Sequence, residues 1–142
     1  MSWYQKEITL QADKRGFCLK TTEIIQKIPE IEKYKAGILH LFIKHTSASL
    51  TINENADSTV RDDLESHFNK SVPEDASYYK HTFEGPDDMP AHIKSTTIGN
   101  NISIPISNGK LELGTWQGIY LCEHRDRPRA RKIFATINGE LF

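Results

Sequence analysis

The sequence predicts one α+β domain, a mostly antiparallel sheet or sandwich with two to three helices, and three observations carry that expectation. Ile38 to His45 is the clearest strand, with Leu39, Leu41, Ile43 and His45 on one face and Ile38, His40, Phe42 and Lys44 on the other. Ile102, Ile104 and Ile106 alternate with polar neighbours and run into Asn108-Gly109, a strong hairpin turn signal. Val60, Leu64 and Phe68 recur at helical spacing and mark one buried stripe. Runs of strands joined by hairpins, with helices between them, fit an antiparallel α+β plan.

In chain order, Tyr4 to Leu10 alternates as a strand, and Arg15 to Lys20 is a second candidate. Thr21 or Thr22 opens a helix through Ile24, Ile25 and Ile28, which Pro29 stops. After the strand from Ile38 to His45 comes the polar cluster Thr46-Ser47-Ala48-Ser49, then Leu50-Thr51-Ile52. A helix is expected from Asn53 to about Phe68, capped by Asn53 or Asn55, with Pro73 beyond its end. Ser77 to Gly85 reads as loop. A short helix then runs from Asp87 or Asp88 to Thr96 and ends at Gly99, with Pro90 tolerated in its first turn.

Pro105 marks the strand Ile102 to Ile106 as an edge or irregular strand. Its return partner is expected to run from Lys110 to about His124. Arg127-Pro128-Arg129 turns the chain, Lys132 to Ile137 forms a last strand, and Asn138-Gly139 closes it. Trp116, Tyr120 and Cys122 on one face and Ile119 and Leu121 on the other make that region apolar on both sides. A strand of this kind is covered twice, and in a small domain another subunit is one candidate for the second cover.

The 142 residues suffice for one domain with its own core. A net charge of −1 gives no reason to expect nucleic acid or an anionic membrane as partner. The start, MSWYQKEITL, lacks a signal-peptide apolar run, and no stretch approaches the roughly 18 apolar residues that span a bilayer. The expected location is the cytoplasm. Cys18 and Cys122 form no CxxC and are expected as reduced, buried thiols.

Histidine is the compositional oddity, with six: His40, His45, His67, His81, His92 and His124. Burying a polar group costs free energy unless it is paired, so a polar residue on an apolar stripe needs a reason. Four residues fit that description. His45 ends a strand on the face of Leu39, Leu41 and Ile43. Asp57 lies three residues before Val60, on the stripe of its helix. His92 follows Met89 by one helical turn. His124 ends a long strand, with Arg125, Arg127, Arg129 and Arg131 close behind. Each also has a plain structural reading: a half-wet strand end, a first-turn carboxylate favoured by the helix dipole, a satisfied core histidine, a solvated arginine loop. No zinc signature, Walker loop, GxGxxG or GxSxG is present.

Three longer blocks decide more. His45-Thr46-Ser47-Ala48-Ser49-Leu50 is followed by Asn53-Glu54-Asn55 and Asp57. A second block is Glu84-Gly85-Pro86-Asp87-Asp88-Met89-Pro90-Ala91-His92-Ile93-Lys94. The third is Gly114-Thr115-Trp116-Gln117-Gly118, running on to Glu123-His124-Arg125. In content and order these blocks resemble the YjbQ family across almost the whole chain. The resemblance implies a compact α+β domain that associates as a homotrimer. It also implies secondary thiamine-phosphate synthase activity, the coupling of hydroxymethylpyrimidine diphosphate to thiazole phosphate with loss of pyrophosphate. The family's motif histidines fall on His45, His81, His92 and His124, and its motif carboxylates on Asp57, Glu84 and Asp88.

Such a reaction needs charge neutralisation on its leaving group more than a strong base. On this reading His45, Asp57 and His92 are the catalytic candidates, with Asp57 contacting Mg²⁺ or water. Lys94, Arg125 and Arg131 are expected to contact phosphate, and Ser47, Ser49, Asn53 and Gln117 to orient the substrate. The imidazoles favour a different metal: His81, His92 and His124 would suit Zn²⁺ or another transition ion. That gives a second hypothesis, a metal-dependent hydrolase of a small phosphorylated or acyl metabolite. A third is a non-catalytic trimer that binds a small anion.

Overall fold

The computed structural model describes residues 1–142. Eight strands form two antiparallel sheets. The larger has the order β1-β8-β3-β5-β6, from β1 (Ser2–Leu10), β8 (Arg131–Leu141), β3 (Tyr34–Ile43), β5 (Asn101–Ser107) and β6 (Lys110–Leu111). The smaller has the order β2-β7-β4, from β2 (Gly16–Leu19), β7 (Gln117–Glu123) and β4 (Ala48–Glu54). Their inner faces meet in one apolar core, where Leu39, Leu41, Ile43, Ile133 and Ile137 of the large sheet pack with Leu50, Ile119 and Leu121 of the small one. Helix α1 (Thr21–Lys27) adds Ile24 and Ile28 to that core. Pro29 ends α1 and opens a 3-10 turn, Pro29–Lys33.

The alternation predicted for the third strand holds: Leu39, Leu41 and Ile43 are buried while Ile38 and Phe42 face outward. The hairpin at Asn108-Gly109 also forms, both residues having positive φ (49° and 77°), as a two-residue turn of this type requires. Pro105 sits just past the two-residue pairing of β6, so its missing N–H breaks no ladder bond there.

Four expectations need correction. The return strand does not run unbroken from Lys110 to His124. It stops at Leu111, and the chain turns through Gly114-Thr115-Trp116 into β7, which belongs to the other sheet. Trp116 therefore precedes the strand and is 64% exposed instead of packing beside Tyr120. The second cover over β7 is intramolecular. Helix α2 (Ser58–Ser71) lies over this sheet, its Arg61 Nε donating to Tyr120 OH at 2.9 Å and its Phe68 ring 6.0 Å from that of Phe17. Helix α3 (Asp88–Ile98) covers β4, where Ser95 Oγ donates to the Ala48 carbonyl at 2.9 Å.

Third, helix α2 begins at Ser58 and not at Asn53, because Asn53 and Glu54 complete β4 opposite Gly118 and Gln117. Its cap is Asp57, whose Oδ1 accepts from Thr59 N at 2.9 Å. Fourth, Asn138-Gly139 is no turn, since β8 continues through it to Leu141. Gly139 faces Gly37 across β3 and β8, and a Cβ on Gly139 would stand 2.2 Å from the Ala36 carbonyl oxygen. Only glycine fits so close an approach.

No helix is long and apolar enough to cross a membrane. Cys18 and Cys122 are both free thiols, Cys122 buried and Cys18 partly so. The outer face of the large sheet carries Trp3, Ile38 and Phe42, all exposed.

Candidate functional site

Asp87 and Asp88 open α3, a position where the unpaired N–H groups and dipole of a helix favour carboxylates. One turn on, His92 lies over Asp88 on the same helical face. Arg125, just past the end of β7, fixes both acids: its Nε donates to Asp87 Oδ2 at 2.9 Å and its Nη1 to Asp88 Oδ1 at 2.6 Å. Asp87 Oδ2 also accepts from the Asp126 amide at 2.9 Å. Asp88 is 1% exposed. Its remaining oxygen, Oδ2, lies 2.6 Å from His81 Nε2 and 3.1 Å from His92 Nε2. Glu84 stands at the rim, 3.7 Å from His81 Nε2. Ligand-type atoms of His81, Glu84, Asp88 and His92 all lie within 4.8 Å of one another.

Burial works to raise the Asp88 carboxyl, but hydrogen bonding to His81 and Glu84, and then the charges of His92 and Arg125, outweigh it and hold the group below the usual carboxylate range. Asp87 is likewise held low against its burial, by the Asp126 amide and by Arg125. Both are carboxylates at neutral pH.

The other nitrogen of His92 fixes its tautomer. Nδ1 lies 2.9 Å from the Thr46 carbonyl oxygen, which can only accept, so Nδ1 carries a proton. A neutral His92 then presents the lone pair of Nε2 to the lone pairs of Asp88 Oδ2. That contact is attractive only with a cation between or beside them, either a proton on the ring or a metal ion. A backbone carbonyl behind one nitrogen, an arginine behind the other carboxylate oxygen and two imidazoles converging on a buried acid form the supporting arrangement typical of metal centres.

The structure separates the other expected site residues into three groups. His45 lines a groove with His92, and its Nε2 accepts from the Lys132 amide at 2.8 Å. His124 is not part of the cluster. It is 1% exposed, and its Nε2 lies 2.8 Å from Ser49 Oγ in the closed layer beneath α2 and α3. Burial, and then the charges of Lys94 and Arg131, push His124 down to about 3, so it stays neutral. Three expected phosphate or substrate contacts are also enclosed and already committed. Lys94 Nζ donates to Asn69 Oδ1 at 2.7 Å, and Arg131 pairs with Glu123 through two nitrogens, its Nη2 also reaching Ser47 Oγ at 3.1 Å.

Asp57, Asn53 and Gln117 lie elsewhere, where β4 runs into α2 beside the start of β7. Asp57 is an exposed cap, not an inward-facing acid: its seven-residue spacing to Leu64 came from a helix that starts one residue after it. Gln117 Oε1 accepts from the Gly114 amide at 2.7 Å, and Asn53 Oδ1 from the Glu54 amide, also at 2.7 Å. Residue spacing did not mark Glu84 and Asp88 as partners of the histidines, whereas the family resemblance placed motif carboxylates on both. Spacing also missed the Thr46 carbonyl, which no side-chain pattern can reveal. The doublet Asp87-Asp88 at a helix start was a second signal.

Fold and site together define a small two-sheet α+β protein with a histidine–carboxylate cluster where a loop meets the start of a helix. The chain belongs to the family described as UPF0047 protein YjbQ-like, whose model matches residues 6–140. It is 54% identical to the UPF0047 protein YjbQ of Salmonella typhimurium over 138 residues, 97% of this chain and 99% of that one. The UPF0047 protein YugU of Bacillus subtilis is 34% identical over 134 residues, covering 94% and 98%. Among solved structures, a YjbQ/UPF0047 family protein from Clostridium acetobutylicum superposes with a TM-score of 0.81 at 40% identity, over 94% of this chain and 99% of that one. A YbjQ-like protein of unknown function from Sulfolobus solfataricus gives 0.83 at 28% identity, over 98% and 99%.

Proposed function

We propose that this protein is a metal-dependent hydrolase of a small phosphorylated metabolite, with His81, Asp88 and His92 holding the ion and Glu84 completing or gating its coordination. The observation that carries this reading is the convergence of two imidazole Nε2 atoms on a single oxygen of buried Asp88, with the outer atoms of His92 and Asp88 tied down by Thr46 and Arg125. Two imidazoles with carboxylate oxygen suit Zn²⁺ or a similar transition ion better than Mg²⁺, which prefers oxygen ligands alone. Such an ion supplies Lewis acidity, polarising a water molecule or a phosphoryl oxygen.

The chain's own groups supply the rest. Arg125 keeps Asp88 ionised and oriented. The Thr46 carbonyl keeps the His92 lone pair turned inward. Beside Glu84 lies a cavity of about 330 Å³ lined also by Arg127 and Arg129, two exposed guanidinium groups suited to a phosphate end of the substrate.

Thiamine-phosphate synthesis is the weaker reading. Of the cations expected to bind its phosphates, Lys94 and Arg131 are buried and engaged, and Arg125 is spent on Asp87 and Asp88.

The test is metal analysis of untagged protein, followed by Co²⁺ titration read by its visible absorption. One ion per chain is expected, with binding abolished in His92→Ala. Protein that takes up no Zn²⁺ or Co²⁺ would leave a protonated histidine as the cation and end this proposal.

A further inference from the structure

The groove beside His92 has a readable inventory of unused hydrogen-bonding atoms. It encloses about 450 Å³ and is lined by His45, Thr46, His92, Ser95, Thr96 and Asn100, with no apolar, lysine or arginine side chain. Which atoms remain free follows from which are already committed.

His45 Nε2 accepts from the Lys132 backbone amide, and an amide can only donate. The ring proton of neutral His45 is therefore on Nδ1, which is the residue's remaining polar atom and a donor. Burial, and then the neighbouring charge of Arg131, hold His45 below the usual imidazole range. Lys132 and Lys44 act in the same direction and Glu123 opposes them. Ser95 gives its hydroxyl proton to the Ala48 carbonyl, and Thr96 gives its own to the His92 carbonyl, each at 2.9 Å. Both therefore offer lone pairs only. Asn100 Oδ1 accepts from Asn101 Nδ2 at 2.7 Å, which leaves its amide N–H groups to donate.

We propose that this groove is a subsite for a polyhydroxyl portion of the substrate, a sugar or polyol, with His45 as an uncharged donor to one of its oxygens. The inventory mixes fixed donors, His45 and Asn100, with fixed acceptors, Ser95 and Thr96, beside a Thr46 hydroxyl that can do either. Phosphate or carboxylate could satisfy the donors but would set its own lone pairs against those of Ser95 and Thr96, with no cation in the lining to compensate. A hydroxyl group both donates and accepts and can satisfy both sets. His45 is thus a binding and positioning residue and not a general base, because its one lone pair is already used by the backbone. The inference takes from the metal reading only the orientation of the substrate, with the groove's His92 end toward the ion.

The experiment is long-range ¹H–¹⁵N imidazole spectroscopy and ribose titration on the full chain, metal-free and Zn²⁺-loaded, with inorganic phosphate as the comparison anion. The expected result is the Nδ1–H tautomer at His45 and saturable ribose-induced shifts at His45, Thr96 and Asn100. Loss of one neutral hydrogen bond should weaken ribose binding by about fivefold in His45→Phe and in Thr96→Val. Thr96 is exposed, so that variant keeps the test valid if His45→Phe misfolds. An Nε2–H tautomer, no saturable ribose shifts in either form, or phosphate binding at His45 in place of ribose would each overturn the proposal. Ribose binding by a protein that takes up no metal would sink the metal reading alone. Metal uptake without ribose binding would sink only this one.

Discussion

Two clusters of histidine, acid and arginine adjoin at Glu123-His124-Arg125 and behave in opposite ways. The Asp88 cluster sits where a loop meets α3, and His81 and Glu84 in it are exposed to solvent. The Glu123 cluster, with Arg131, Ser47, Ser49 and His124, is sealed beneath α2 and α3. Residue types barely distinguish them. The leftover valence does. In the sealed cluster the charged atoms are paired with one another, and the Glu123–Arg131 pair is bidentate. In the open one, two imidazole Nε2 atoms converge on one carboxylate oxygen, and the His92 lone pair there has no proton of its own to share. A cluster that satisfies itself is architecture, and one that needs a further cation has room for chemistry.

The most severe way to probe this contrast is Glu123→Ala. It leaves the Arg131 guanidinium buried at 2% exposure without its counter-charge, and should cost roughly 3–5 kcal/mol in urea unfolding. Substitutions at the exposed His81 and Glu84 of the open cluster should leave stability far less affected. A variant as stable as the parent would show that the sealed pair is not structural.

Acid separates the clusters next, through His124. Its folded pKa, about 3, lies below the ordinary imidazole value of 6.5, so between those values the unfolded chain binds more protons than the folded one. Its contribution is complete above pH 6.5 and is lost progressively as pH falls toward 3. Urea midpoints across that window should decline more steeply in the parent than in His124→Gln. Parallel curves would contradict the buried neutral imidazole.

Arg125→Gln is expected to act on the open cluster alone, weakening Co²⁺ or Zn²⁺ binding by about 10–100-fold through loss of the group behind Asp88 Oδ1. Equilibrium dialysis measures this directly, and unchanged affinity would remove Arg125 from the site. The smallest effect is expected at Asp57→Ala, which removes one exposed helix cap. Thermal unfolding should shift slightly downward while metal binding stays as it was. A loss of binding there would restore Asp57 to the site.

Much of the architecture was legible because it rests on local periodicity. Leu39, Leu41 and Ile43 announce their strand, and Gly99 and Pro90 bracket α3. The failures occurred where tertiary pairing overrides local signals. Asn53 and Glu54 pair with Gly118 and Gln117 and so extend a strand into what reads as helix, which in turn gave Asp57 a false inward position. At the site, His81 lies in polar loop sequence with no periodicity to mark it, and its importance rests on a partner seven residues away across a turn. The Asn108-Gly109 and Asn138-Gly139 pairs show the same limit. One dipeptide makes a reversal and the other runs straight through a strand, and the difference lies in what stands across from each.

That second pair also constrains alignment. Gly37 and Gly139 meet where a Cβ on either would lie within 2.7 Å of the opposing main chain. Sliding β8 by one position along β3 would bring Asn138 or Glu140 into that gap, and either side chain would collide with main chain. It would also turn Ile133, Ala135 and Ile137 away from the core. Two missing side chains thus act as a key, admitting one alignment of these long strands and rejecting its neighbours.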